Sequence, residues 1–576
     1  MMTEVSILNE RIDDLPLLFF QQRMMGIPQI IDENIQVHGN HQGLSLGWLV
    51  TGWITYILSE SDHRLSYVEP WAQERFQLLQ SLFPPPMEAK DFTDDRLGDV
   101  LDYLSQDDSW YRIEKDLGQH QIQVYQLPTE KVRVDSTSAA VYHDPAQGAL
   151  IRYGMSKDHR PDLGQFKVMW SALDPLSLPL ATLVVPGNEA DDGLYLPIIR
   201  QSREVLGRKG VLYVGDSKME ALSTRVGIVS EGDYYYLPLS MKGKQAELLH
   251  QLVDTVWEKR DSLPLVKTTD LKTGRPKTVA RVYESSRTQQ DDAENPTVKW
   301  DERVLLVYSP SLAKQAGSGL AGRLERAENK LRNLTPPPGR GRKQYADLLS
   351  LQSEVERILK HHRVHDLLQV DYLRHEQHRQ IRKYRDRPAR TEVTVRYEVQ
   401  ISRNQAAIQQ AQCYLGWRLY VTNAPTALLS SEDAILTYRQ SPNFEHSFSR
   451  LKNRPLGLRP LFLRREERIT GLVRLLSLAL RVLTLIEFVV RRSLTTTKDQ
   501  LAGLYPGNPK QATSRPTTER LLRAFDNITL TCIQMPEQFI RHITPLSQLQ
   551  TAILVLLGLP PSIYSELNIA LEHNPP

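Results

Sequence analysis

Three acidic residues stand where phosphate chemistry is possible. Asp135 follows the alternating Lys131-Val132-Arg133-Val134, and Asp216 ends the apolar run Val211-Leu212-Tyr213-Val214-Gly215. Ligands of open α/β sheets bind beyond the carboxyl ends of strands, so a carboxylate there faces a ligand. Two such carboxylates and one from a helix supply hard oxygen ligands for Mg²⁺, a set suited to two-metal phosphoryl transfer. Taken singly, either aspartate serves equally well as a turn residue or helix cap. Asp191 and Asp192 compete with Asp216, which is preferred because it directly ends a continuous apolar strand.

The third carboxylate is Glu445, within Ser441-Pro442-Asn443-Phe444-Glu445-His446-Ser447-Phe448-Ser449-Arg450-Leu451-Lys452. Ser441 reads as an N-cap and Pro442 as the first helical residue. Phe444, Phe448 and Leu451 then form a buried stripe, and Glu445 and Lys452 share an adjoining face. On an ordinary surface helix that charge pair carries no meaning. Beside two aspartates it offers a metal ligand and a cation for phosphate.

Other candidates read more plainly. His361, His362, His365, His375 and His378 crowd one segment expected to be helical. Without cysteines nearby they read as a solvated basic face rather than a zinc site. Trp300 is expected in the core rather than stacked on a base.

The elements that must position these residues follow from periodicity. Residues 1–128 read as helical, with Ile12, Leu15, Leu18 and Phe19, and later Leu97, Val100, Leu101 and Leu104, at spacings of three and four. From 129 the pattern turns to strands, at 131–135, 149–153, 166–170 and 179–185, then a helix over 194–206 and a buried strand over 211–214. Residues 243–412 interrupt this α/β pattern with strand-like pieces (304–308, 392–399) around a long charged helical region. Sheet character returns at 417–421, helices run from 432 to 492, and 496–576 is expected to form a helical C-terminal part. The first core segment is therefore 129–242 and the second 413–495. Pro84-Pro85-Pro86 and Pro336-Pro337-Pro338-Gly339 mark connections.

The 576 residues exceed one ordinary core, and 40% hydrophobic with 24% charged residues exclude a wholly disordered chain. Cys413 and Cys532 alone make no disulfide framework and fit a reducing compartment. The apolar stretch 472–490 holds Arg474, Arg481 and Glu487, so it reads as a buried helix with a polar stripe, not a membrane span. The first apolar stretches are broken by Glu10, Arg11, Asp13 and Asp14, so no secretory signal is expected. Net charge is +3, yet residues 313–390 carry 18 basic and 9 acidic residues, and 450–492 carry 11 and 3. Two basic segments in an otherwise acidic chain suit a polyanionic partner if a phosphate site lies nearby.

The ordered stretches 156–163 (Ser-Lys-Asp-His-Arg-Pro-Asp-Leu), 186–191 (Pro-Gly-Asn-Glu-Ala-Asp), 213–216 (Tyr-Val-Gly-Asp) and 438–452 together resemble the DDE transposases of bacterial insertion sequences. The likeness is to the lineage whose helix carries a Tyr-Arg-Glu-Lys signature, and it covers roughly residues 130–490. It implies an α/β fold: a ribonuclease H-like mixed sheet, a large insertion before the glutamate helix, and helical N- and C-terminal parts. It assigns the catalytic and metal-binding triad to Asp135, Asp216 and Glu445, with two Mg²⁺ or Mn²⁺ ions. Asn188 is then expected near the site, with Tyr438, Arg439 and Lys452 as DNA contacts. The family's arginine, four residues before the glutamate, falls on Ser441, and Arg439 lies two residues further upstream.

The activity implied is cleavage and strand transfer of double-stranded DNA at element ends, by a homodimer in the DNA complex, in the bacterial cytoplasm at the nucleoid. The alternatives are a nuclease of the same fold that does not join strands, and a noncatalytic DNA-binding descendant.

Overall fold

The computed structural model describes residues 5–568 except 40–41, 85, 146–148, 270–273, 293–296, 338, 340–341, 343, 384–387 and 536–537. Pro85 and Pro338, in the two expected proline connections, lie outside the described residues. The chain forms two compact units, one of residues Met1–Leu237, Thr288–Trp300 and Thr437–Pro576, the other of Pro238–Arg287 and Asp301–Leu436.

Five strands make the sheet of the first unit: β1 (Lys131–Val141), β2 (Gly164–Leu173), β3 (Leu178–Pro186), β4 (Leu212–Val214) and β5 (Tyr234–Pro238). Their order is β3-β2-β1-β4-β5. β1, β2 and β3 are antiparallel neighbours, whereas β4 lies parallel to β1 and β5 parallel to β4. Three antiparallel strands followed by two parallel ones form the mixed sheet expected of a ribonuclease H-like core. Residues 149–153, expected as a strand, contribute only an isolated bridge from Arg152 to Gln165.

Helices cover this sheet. α1 (Asp107–Tyr125) and α2 (Tyr195–Leu206) pack near β3, and α3 (Ser441–Lys452) packs on β1. α4 (Glu466–Thr497) is buried over most of its length, from Ile469 to Leu494. Its charges find hydrogen-bond partners inside the protein, although Nε of Arg474 and of Arg481 has none. Arg474 donates to the Leu104 carbonyl at 2.9 Å, Arg481 to the Leu180 carbonyl at 2.9 Å, and Glu487 accepts from Arg450 at 2.7 Å. A buried charge persists only when paired and hydrogen-bonded, so the polar stripe expected here lies within the protein core. Among the described residues no helix is long and apolar enough to cross a membrane. Gly471 makes the packing possible: a Cβ there would meet the Leu101 carbonyl oxygen at 2.1 Å.

The N-terminal part is helical as expected, with Ile12, Leu18, Phe19, Leu97, Val100, Leu101 and Leu104 fully buried. Its first strand, Ser6–Arg11, pairs antiparallel with Thr529–Gln534 of the C-terminal part, which combines helices with this small sheet.

In the second unit, β6 (Lys299–Tyr308) pairs antiparallel with the strand Trp417–Thr422. Two helices, α5 (Pro310–Arg332) and α6 (Leu348–His362), pack with the base of a hairpin formed by β7 (Leu368–Ile381) and β8 (Arg390–Arg403). The helical expectation for the whole charged segment is corrected here. Only His361 and His362 of the five histidines lie on a helix, and His375 and His378 lie on β7.

Candidate active site

The first two aspartates meet because of strand register. β1 and β4 pair in parallel as Lys131 with Leu212, Val132 with Tyr213 and Arg133 with Val214. The same offset, carried two residues further, sets Asp216 beside Asp135. β1 itself continues to Val141, so Asp135 sits within the strand just past the end of its parallel ladder. There the chain of Asp216 departs as the cap of a short turn, its carboxylate accepting the Lys218 amide at 2.9 Å.

The electrostatics agree with this proximity. Burial raises the Asp135 carboxyl above its ordinary range, the Lys157 ammonium lowers it, and the Asp216 charge raises it. Tyr195, on α2, donates its hydroxyl to Asp216 Oδ1 at 2.5 Å. Burial, then the charges of Asp216 and Asp135, push that phenol far above its ordinary value, so it remains a donor.

Lys157 and Lys167 complete the cluster. Lys157 Nζ lies 3.2 Å from Asp135 Oδ1 and 3.7 Å from Asp191 Oδ2, and donates to the Ser136 carbonyl at 2.7 Å. Lys167, on β2, donates to Asp191 Oδ1 at 2.7 Å. Although burial raises the Asp191 carboxyl, the Lys167 hydrogen bond and the charges of both lysines hold it below the usual range. Asp191 thus borders the site as a paired carboxylate. The sequence offered a signal for Lys167, a charged residue between Phe166 and Val168 in a strand buried throughout.

The helix that carries Glu445 packs on this face through aromatic side chains. Trp170 of β2 lies directly opposite Asp135, and opposite residues of an antiparallel pair project to one face. Phe448 of α3 stacks on Trp170 with centroids 4.9 Å apart and planes at 7°, and Phe444 meets Phe448 edge-on at 5.1 Å. Glu445 precedes Phe448 by about one turn, is exposed, and has no hydrogen bond or ion pair among the described residues. The helix begins after Gln440, with Pro442 in its first turn, so Ser441 is helical rather than the expected cap.

The other end of α3 is pinned. Lys452 donates to Asp158 Oδ1 at 2.7 Å and Arg459 to Asp158 Oδ2 at 2.9 Å. Burial lowers the Lys452 ammonium and the Asp158 bond partly restores it. Asn188 is exposed in the turn after β3, beside Glu189, whose carbonyl accepts Lys167 at 2.5 Å. Tyr438 contacts Tyr236 edge-on at 6.2 Å, and Arg439 is exposed without an ion pair among the described residues. Trp300 is buried and donates to the Tyr235 hydroxyl at 2.8 Å, as the core reading expected.

Asp135 and Asp216 are carboxylates of the type a hard divalent cation takes as ligands, and like charges so placed repel each other. Among the described residues no three His, Cys, Asp or Glu side chains gather closely enough to hold a metal. Asp135 and Asp216 are the two carboxylates at this strand face, and Glu445, without an ion pair among the described residues, lies on the helix packed over β1.

Residues 7–111 match a domain of unknown function, DUF4277. No curated protein matches the chain. A solved structure described as a cryo-EM structure of the piggyBac transposase synaptic complex with hairpin DNA is similar at 9% identity and a TM-score of 0.32, covering 89% of this chain and 78% of that one. Residues 127–482, more than half of the chain, match the Transposase DDE domain, and the protein belongs to that transposase family.

Proposed function

We propose that the protein binds the ends of an insertion sequence, cleaves the DNA there and joins the freed ends to a target. Asp135, Asp216 and Glu445 would hold two divalent cations, Mg²⁺ or Mn²⁺. Such ions supply Lewis-acid activation of an attacking oxygen and charge neutralisation at the leaving oxygen. The chain's own groups do the positioning. The Tyr195 hydroxyl fixes Asp216 by donating to Oδ1, and Lys157 balances the negative charge of Asp135 and Asp191. Lys452 and Arg459, through Asp158, tie α3 to the loop after β1.

Asn188, Tyr438, Arg439 and Lys452 would contact DNA around the scissile phosphate, the exposed Arg439 most directly. The N-terminal part (1–128) and the basic insertion (243–412) would bind element ends, and two copies would act together in the DNA complex. The observation that carries this reading is the shared 81-residue offset of the β1–β4 ladder, which, continued two residues past its last pair, would set Asp216 alongside Asp135.

The test is incubation of the full chain with Mg²⁺, duplexes from both flanks of its own coding region, and a target plasmid. Joined products are expected. Hydrolysis without joining would favour a nuclease of this fold, and salt-sensitive binding without any cutting would favour a noncatalytic descendant.

A further inference from the structure

We propose that the β7–β8 hairpin is a DNA-reading arm whose distal half lies in the major groove of a duplex; this rests on the reading of the protein as a DNA-acting enzyme. The two strands pair without interruption from Leu368 opposite Arg403 to Ile381 opposite Arg390. At about 3.4 Å per residue the ribbon is roughly 45 Å long.

Its base and its distal half differ in kind. At the base, Leu368, Val370, Tyr372, Tyr397, Val399 and Ile401 join the apolar cluster of α5 and α6. Further bonds fix it there: Tyr397 donates its amide to the Tyr345 carbonyl at 3.0 Å, Val399 its amide to Thr335 Oγ1 at 3.0 Å, and Arg403 pairs with Glu328 at 2.5 Å. Beyond Glu376 and Val395 every described residue of the two strands is exposed except Ile381. A two-stranded ribbon with neither face covered is marginally stable in water. The distal half therefore gains most from a partner that embraces it.

Charge identifies that partner. Towards the base the charges are matched within the fold: Arg374 with Glu376, and His375 and Arg396 with Glu398. Arg379, Arg382, Lys383 and Arg390, at the distal end, are exposed and have no ion pair among the described residues. Four cations around a ribbon two strands wide, against the one exposed carboxylate among the described residues of this end, Glu392 opposite Arg379, leave a net positive charge that suits a phosphate-lined groove. The major groove of B-DNA, about 12 Å wide, admits a two-stranded β-ribbon. Gln377 and Thr394 lie opposite each other across the ribbon, on the same face as Arg379, and a glutamine amide there matches the N6 and N7 pair of adenine.

The experiment uses the full chain without divalent metal, duplexes from the flanks of its coding region, and a scrambled duplex of equal length. Replacing Arg379, Arg382, Lys383 and Arg390 together by Gln is expected to make the log–log salt dependence of binding shallower by about 0.9 per lost phosphate contact, or about 3 to 4 in all. Methylation of guanine N7, which projects into the major groove, is expected to weaken binding of the wild-type chain and not of this variant. Gln377→Ala is expected to reduce the preference for flank over scrambled duplex and leave the salt slope unchanged. Circular dichroism and melting temperature should match wild type in both variants, since the substituted side chains are exposed.

Unchanged affinity and slope in the fourfold variant, with normal duplex binding by the wild type and cutting once Mg²⁺ is added, would overturn the arm and leave the enzymatic reading standing. Loss of binding to heparin or single-stranded RNA as large as that to duplex, with no N7 effect, would also overturn it. No duplex binding by the wild-type chain would overturn both readings.

Discussion

Lys157 holds the negative side of the site together, with its ammonium between Asp135 and Asp191. Lys157→Met leaves those carboxylates less compensated, so the variant is expected to melt lower than wild type in EDTA and to gain more stability on adding Mg²⁺. Ligand that binds only the folded state stabilises it by about 2.7 kcal/mol at a hundred times its dissociation constant, a shift thermal denaturation detects. Equal Mg²⁺ gains in both proteins would contradict this role. Asp216 was legible in the sequence because a carboxylate at a strand end has a recognisable address, whereas Asp135 was read at the end of a strand that in the fold continues to Val141. Tyr195 was not, and Lys167 showed only as a charge within an apolar strand, because their partners Asp216 and Asp191 lie 21 and 24 residues away and meet them only through the fold.

At the scale of elements, α3 depends on the stack of Phe448 on Trp170. Phe448→Ala removes a buried aromatic, and such changes cost about 3 to 5 kcal/mol; DNA cutting is expected to fall further than the loss of folded protein explains, because Glu445 rides on the same helix. Cutting that tracks the folded fraction alone would show that the stack serves stability only.

The contact between α1 and the sheet offers a pH test. Burial raises the Glu114 carboxyl to about 7, with Arg481 opposing the shift. Its folded value lies above its unfolded one, so stability from the neutral form is full below about 4.5 and is lost as pH rises through about 7. Glu114→Gln is therefore expected to flatten the fall in melting temperature between these values, and an identical pH profile would contradict it. Core strands and α4 were legible because apolar runs and a 3.6-residue period mark them. The distal β7–β8 ribbon was not: exposed on both faces, it lacks the apolar alternation that announces a strand, and its charges imitate a solvated helix.

At the scale of the whole molecule, the pairing of Ser6–Arg11 with Thr529–Gln534 spans the chain, and nothing local in either segment names its partner. The division of charge was legible, and it carries its own expectation. Arg450, Lys452, Arg474 and Arg481 of the segment 450–492 are buried, so if the basic segment 313–390 contacts phosphates, duplex affinity falls linearly in log–log terms as salt rises, at about 0.9 per contact. Binding indifferent to salt would place the affinity elsewhere.

The most direct measurement is Mg²⁺-dependent cutting of flank duplexes by the wild-type chain and by Asp135→Asn, Asp216→Asn and Glu445→Gln, each checked for intact duplex binding. The expected result is cutting by wild type and a loss of roughly a thousandfold or more, about 4 kcal/mol of barrier, in every variant. Wild-type rates from Glu445→Gln, or from either aspartate variant, would contradict a shared three-carboxylate site.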